Sequence, residues 1–202
     1  MRKNNSILII LVINISFLSY FQNAIPQTQN KFEFRKINNV AFNVGEVLKF
    51  DISYGFIHAG TASLSIPEIR TINNRKCFYI KAEAFSAAAF SWFFKVEDRY
   101  ETFIDVEGIF PWRFEQHIRE GKFKADNIAT FDQYNKIAYT KDGQYPMPEY
   151  THDILSAFYY VRTLDFSQSK PGNIIKLHNF YKDKVYPLDV KFLGRQIVVV
   201  NA

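Results

Sequence analysis

The chain reads as a mainly β protein, a strongly curved antiparallel sheet or half-barrel with one main helix. Three observations carry that expectation. Apolar and polar residues alternate with a period of two from Val47 onward and again through 61–66. Phe and Tyr number 21 and 12 against 8 Gly and 7 Pro, a mixture suited to pleated surfaces. One stretch alone, opening at Asp153, carries a clear amphipathic helical spacing.

At the start of the chain, Arg2 and Lys3 precede an apolar run from Ile7 to Tyr20, the charged-then-apolar layout of a secretory signal peptide. Asn14 and Ser16 interrupt the run, which falls short of the ~20 apolar residues of a spanning helix. Residues 1–24 are therefore expected to be removed on export, leaving an N-terminal extension at 25–40 and a β domain at 41–202. No Cys stands near the cut, so no lipobox is present. The expected location is the periplasm, or association with the outer membrane.

In the first strand Leu48, Phe50, Ile52 and Tyr54 alternate with Lys49, Asp51 and Ser53, so that one face is buried and the other wetted. Gly55 and Gly60 bracket a turn or bulge, after which Ala62, Leu64 and Ile66 repeat the alternation as the second arm of a hairpin. Asn73-Asn74-Arg75 is a turn, followed by Phe78, Ile80, Ala82 and Ala84 on one face and a further strand over 96–104. Between them, 86–94 breaks the pattern with three alanines and then Phe90, Trp92, Phe93 and Phe94, and is expected as a short helix or packed aromatic loop.

Two strands, 112–120 and 122–132, flank Gly121 as a tight hairpin, and 136–140 leads to the Asp142-Gly143 turn. Tyr145-Pro146-Met147-Pro148 is not expected to join a ladder, because each proline lacks its donor. Asp153 then caps a helix whose stripe is Ile154, Leu155, Ala157, Phe158 and Val161, ending near Thr163. Strands at 173–181, 184–192 and 196–200 follow, turning at Lys182-Asp183 and Gly194-Arg195. Some ~10 strands in one domain exceed what a flat sheet accommodates, so a curled meander is expected, with the helix over its concave side or mouth.

The formal charge of +5 falls to +3 without Arg2 and Lys3, and the remaining cations are scattered among acids, which argues against a nucleic-acid partner. Cys77 is the only cysteine, so no intrachain disulfide forms. Its setting in Lys76-Cys77-Phe78-Tyr79-Ile80 is that of a small buried apolar residue.

His58, His117, His152 and His178 lie far apart in sequence, none at a spacing that preassembles a metal site, so no metal is expected. In His152-Asp153 the acid has a role as helix cap, and Asp98, Arg99 and Asp105 suit cross-strand pairing. Nucleophile-elbow, dinucleotide and phosphate-loop signatures are lacking. No catalytic residue, no cofactor and no enzymatic activity are expected; a hydrolase assembled from distant strands is the minor alternative.

Phe85, Phe90, Trp92, Phe93 and Phe94 put five large rings in ten residues. Packing in the core is the plainer reading. The sharper one makes them the lining or lid of an acyl-chain site, with Lys95 and Arg99 at its rim to meet an acidic head group.

Several short features together resemble the bacterial family called domain of unknown function 3108. They are Val44-Gly45-Glu46 before Leu48-Lys49-Phe50, Tyr54-Gly55 to Ala59-Gly60, Val96 to Asp105 with Pro111, Asp153-Ile154-Leu155-Ser156-Ala157 with Arg162, and Leu193-Gly194-Arg195. The resemblance runs from Phe42 to Ala202. It implies an exported envelope protein of a Gram-negative type of cell, with a β-rich fold similar to the half-barrels of periplasmic lipoprotein carriers. Family members usually extend beyond the Gly194 hairpin, so the chain is expected to be C-terminally truncated, with 196–200 as an exposed edge strand.

The function expected from all this is non-enzymatic binding of a lipid, or of a lipid-bearing partner such as a lipoprotein, inside a curved sheet. The alternative is a structural or assembly factor that binds another envelope protein through its surface.

Overall fold

The structure, a computed structural model, describes residues 33–197. The expected leader at 1–24 and the first part of the extension lie outside these residues.

Eight strands follow one another in a single antiparallel meander: β1 (Val47–Tyr54), β2 (Ile57–Ile72), β3 (Arg75–Ser86), β4 (Glu97–Asp105), β5 (Pro111–Glu120), β6 (Phe123–Asp132), β7 (Ile137–Thr140) and β8 (Gly143–Pro146). The sheet is open, with β1 and β8 as its edges, and is not closed into a barrel. Its register shifts at Ile52/Ser53, Ser65/Glu68 and Phe103/Ile104, and such bulges add local bend and twist. A four-residue helix, α1 (Ala88–Ser91), interrupts β3 and β4, and the main helix is α2 (Ile154–Arg162).

Two expectations need correction. Tyr145 and Pro146 do join the ladder, as the end of edge strand β8 beside β7. Pro146 is tolerated there because the next backbone donor towards β7 comes from Met147, whose N lies 2.8 Å from Lys136 O. The later strands β9 (Ile174–Tyr181) and β10 (Lys184–Lys191) do not prolong the meander but form a hairpin of their own. With α2 standing between β8 and β9, the hairpin meets the rest of the chain at His152, whose N donates to His178 O and whose O accepts from Phe180 N, both at 2.8 Å. No strand covers 192–197, and 198–202 lie outside the described residues.

Register makes the two faces of the sheet chemically distinct. One row across β1 to β6 reads Leu48, Leu64, Ala82, Tyr100, Gln116, Asn127; the adjacent row on the other face reads Lys49, Ser63, Glu83, Arg99, His117, Asp126. We call the first the inner face. There Ile66, Phe78, Ile80 and Ile104 pack against Phe42 and Tyr159 of α2. Further along, Phe114, Ala129, Phe131 and Ala138 pack against Met147 and Phe180.

The outer face carries charge at one end and a second core at the other, where Cys77, Tyr79, Phe103, Phe110 and Trp112 enclose Phe34. Residues 33–42 thus belong to the domain, since Phe34 enters one core and Phe42 another. Arg35 pins this segment through Nε to Gly108 O and Nη2 to Ile109 O, each 2.8 Å, and lies over the Tyr150 and Tyr160 rings. Cys77 is fully buried, and burial first of all pushes its thiol up to about 12, leaving it unreactive at neutral pH.

Candidate functional site

Helix α2 begins where Asp153 Oδ1 accepts from Leu155 N at 2.8 Å and Ser156 N at 2.9 Å, and Asp153 N in turn donates to Ser156 Oγ at 2.9 Å. A cap of this kind stabilises a helix by ~1 kcal/mol. Asp153 Oδ2 also accepts from Thr102 Oγ1 at 2.7 Å, which ties the cap to β4. Burial nevertheless raises the Asp153 carboxyl above its ordinary range, the hydrogen bonds offsetting only part of that effect.

Ser156, Ala157 and Tyr159 turn into the protein, while Ile154 and Phe158 of the expected apolar stripe do not enter a core cluster. They line a cavity of about 420 Å³, open to solvent along Ile154 and Phe158, between the helix, the inner face and the hairpin. Its walls are Leu64, Ile154, Leu155, Ala157, Phe158, Val161, Leu188 and Val190, apolar without exception. Beside Leu64 the inner face offers Ala62, Ala82 and Ala84, small side chains that leave room above the sheet. The volume falls within the ~300 to 1,000 Å³ of ligand sites.

A second cavity of about 310 Å³ lies under the β9–β10 turn. Phe114, Ala125, Ala129 and Phe180 line it together with Lys141, Asp142, Lys182 and Asp183.

The helix wall of the first cavity is anchored at its C-terminal end. Arg162 Nη1 lies 2.7 Å from Glu46 Oε1 and Nη2 lies 2.6 Å from Oε2, while Tyr159 donates to Glu46 Oε1 at 3.2 Å. The hydrogen bond from Arg162 holds the Glu46 carboxyl below the usual carboxylate range, and burial only partly opposes it.

The outer face brings together residues that sequence spacing kept apart. Glu101 and Glu115 are directly opposite on β4 and β5, and His117 Nε2 lies 3.7 Å from Glu101 Oε2 and 3.4 Å from Glu115 Oε2. Asp126, opposite His117 on β6, takes the other ring nitrogen at 2.7 Å. The far oxygens are also engaged, Glu115 Oε1 by Arg113 Nε at 2.6 Å and Glu101 Oε1 by the Tyr79 hydroxyl. Ligand atoms of Glu101, Glu115 and His117 lie within 4.8 Å of one another. This arrangement offers three of the ligands a divalent cation takes, and His117 Nε2 makes no hydrogen bond within it. Only strand register, invisible in the spacing of the four histidines, assembles it.

The residues singled out from the sequence lie elsewhere. None of Phe85, Phe90, Trp92, Phe93 and Phe94 lines the large apolar cavity. Phe85 pairs opposite Glu97 and points to the outer face, where it lines a groove with Arg99, His117 and Arg119. Phe90, Trp92, Phe93 and Phe94 belong to α1 and the turn after it, beyond the strand ends, and Phe85, Trp92, Phe93 and Phe94 are exposed. Lys95 pairs with Glu97 at 2.7 Å, and Arg99 Nε lies 3.6 Å from Glu101. The wall residues had a signal in the sequence, Leu64, Leu188 and Val190 as apolar members of strand alternations and Leu155 and Phe158 as members of the helical stripe, but that signal is the same for a packed core.

No match was found among curated proteins or among solved structures. Residues 49–202 match the family described as Protein of unknown function (DUF3108), from within β1 through the hairpin to the last residue. The match spans most of the chain, both helices and every strand that forms the cavities, and the chain belongs to the DUF3108 family.

Proposed function

We propose that this is an exported, non-enzymatic protein of the cell envelope that holds an acyl chain or similar lipophilic group between α2, the inner sheet face and the β9–β10 hairpin. The observation that supports this reading best is the cavity of about 420 Å³ with eight apolar walls. Apolar surface left uncovered costs ~25 cal/mol per Å² relative to burial, so a helix that leaves Ile154 and Phe158 unpacked has that much to gain from an apolar ligand. An assembly factor acting through its outer sheet face or an edge strand has no need of an apolar space under its helix, which sets the lipid reading ahead.

The test is native mass spectrometry on the chain purified without detergent from a Gram-negative envelope, followed by solvent extraction. Excess mass that extracts as lipid, and is lost in Leu188→Glu while the fold persists, is the expected result. A bare folded protein from the same preparation overturns the reading.

A further inference from the structure

We propose that the end of the sheet carrying the β1–β2, β3–β4 and β5–β6 connections docks onto the surface of an anionic lipid bilayer. Antiparallel order brings these three turns to the same end. They touch: Ala87 N donates to Ala59 O at 2.8 Å, Gly121 N to Lys95 O at 2.7 Å, and the Phe94 ring lies against Gly121. From them project Phe56, 99 % exposed, Trp92, 83 % exposed, and Phe93, 60 % exposed, with Phe94 and Phe123 beside them. Large rings gathered in the open mark an interaction surface.

Composition points to the partner. The three turns, 55–56, 87–96 and 121–122, contain Lys95 and Lys122 and no acid, and the neighbouring acids stand on the strand ends, Glu97 in an exposed ion pair with Lys95 at 2.7 Å that lipid phosphate can replace, and Glu120 before Gly121. Aromatic side chains that enter the interfacial zone, flanked by lysines that meet lipid phosphates, are the chemistry of peripheral attachment to an anionic membrane. The inference goes beyond the lipid-binding reading and stands without it, because it uses none of the cavity walls.

Trp92 and Trp112 make the test specific. Trp112 is 1 % exposed and serves as an internal control for the fold, whereas Trp92 sits on the proposed contact. The full chain is mixed with vesicles of phosphatidylglycerol, or of phosphatidylcholine alone, and tryptophan emission, quenching by brominated lipid and co-sedimentation are read. Expected are a blue shift and quenching on phosphatidylglycerol that vanish in Trp92→Phe, with little on phosphatidylcholine. Lys95→Glu with Lys122→Glu should weaken binding at least ~25-fold, at about fivefold for each lysine removed from the surface. Phe56→Ser with Phe93→Ser should also weaken it, with Trp112 emission and melting unchanged.

Association that is equal on both lipids, or indifferent to these variants, overturns the proposal. It fails equally if the chain stays off both vesicles and Trp92 becomes buried only as protein concentration rises, since a second copy then covers the surface.

Discussion

Arg162 at the end of α2 grips Glu46, 116 positions earlier in the chain, through two parallel bonds of 2.7 and 2.6 Å. The pair joins the lead-in to β1 to the helix that walls the apolar cavity, so it bears on both stability and binding. Arg162→Ala is expected to cost ~2 kcal/mol, as for hydrogen bonds to a charged group, and Arg162→Lys to recover only part of that, because an ammonium cannot reproduce the fork. Urea unfolding of the two variants checks this; identical midpoints for wild type and Arg162→Ala would mean that packing alone holds the helix.

Acid acts on the same pair with a definite sign. Glu46 has its carboxyl depressed in the folded chain by the Arg162 hydrogen bond, so its contribution is present above the unfolded value of ~4.3 and lost as pH falls through the lower folded value. Melting curves taken below pH ~4 should therefore separate wild type from Glu46→Gln less and less as the pH drops.

His152 titrates in a different window. Burial, aided by the nearby Arg35 charge, lowers it from 6.5 to about 3. Between those values the unfolded chain takes up a proton that the folded chain refuses, so stability falls as pH falls, by ~1.4 kcal/mol per pH unit at most. Asp153, raised by burial, works in the opposite direction, so the isolated readout is the difference between wild type and His152→Gln. That difference in slope should be close to one proton between pH 6 and pH ~4.5; parallel profiles would show that the ring is protonated in the native state.

Asp105 holds together the turn between β4 and β5. It accepts from Arg75 Nε at 2.7 Å and Nη2 at 2.9 Å, from Gly108 N at 2.8 Å and from Trp112 Nε1 at 3.0 Å. Burial opposes its charge, but these donors outweigh it and keep the carboxyl below its ordinary range. Asp105→Ala leaves Trp112 Nε1 buried without its acceptor and should cost ~3 to 5 kcal/mol in chemical unfolding, enough to deplete the folded state. A loss under ~1 kcal/mol, on the scale of an exposed ion pair, would mean water replaces the carboxylate.

Gly60 lets β2 pass close to the end of β3. A Cβ at this position would stand 2.3 Å from Phe85 O, a backbone atom that cannot move aside alone. Gly60→Ala is expected to destabilise by ~1 to 3 kcal/mol, and it should shift the aromatic turn after β3. Gly55→Ala, with nothing within 4 Å but a φ of 62°, serves as the comparison and should cost less. Thermal melts of the two variants settle the order.

Much of the fold was legible in the sequence because each local signal had a local cause. Alternation through 47–54, Asn73-Asn74 and Lys182-Asp183 with their positive φ angles, the Gly121 turn and the Asp153 cap each depend on residues within a few positions of one another. A period of two also determined which side chains share a face. It did not determine which face would be covered, or by what. The separate β9–β10 hairpin, the Glu46–Arg162 fork, the convergence of Glu101, Glu115 and His117, and the space left over Leu64 arise between segments brought together from distant parts of the chain. The rings at 90–94 show the same limit: their apolar chemistry was plain from the sequence, but whether they enter a core depends on where α1 stands relative to the strand ends. Burial is a property of neighbours in space, and only the tertiary structure supplies them.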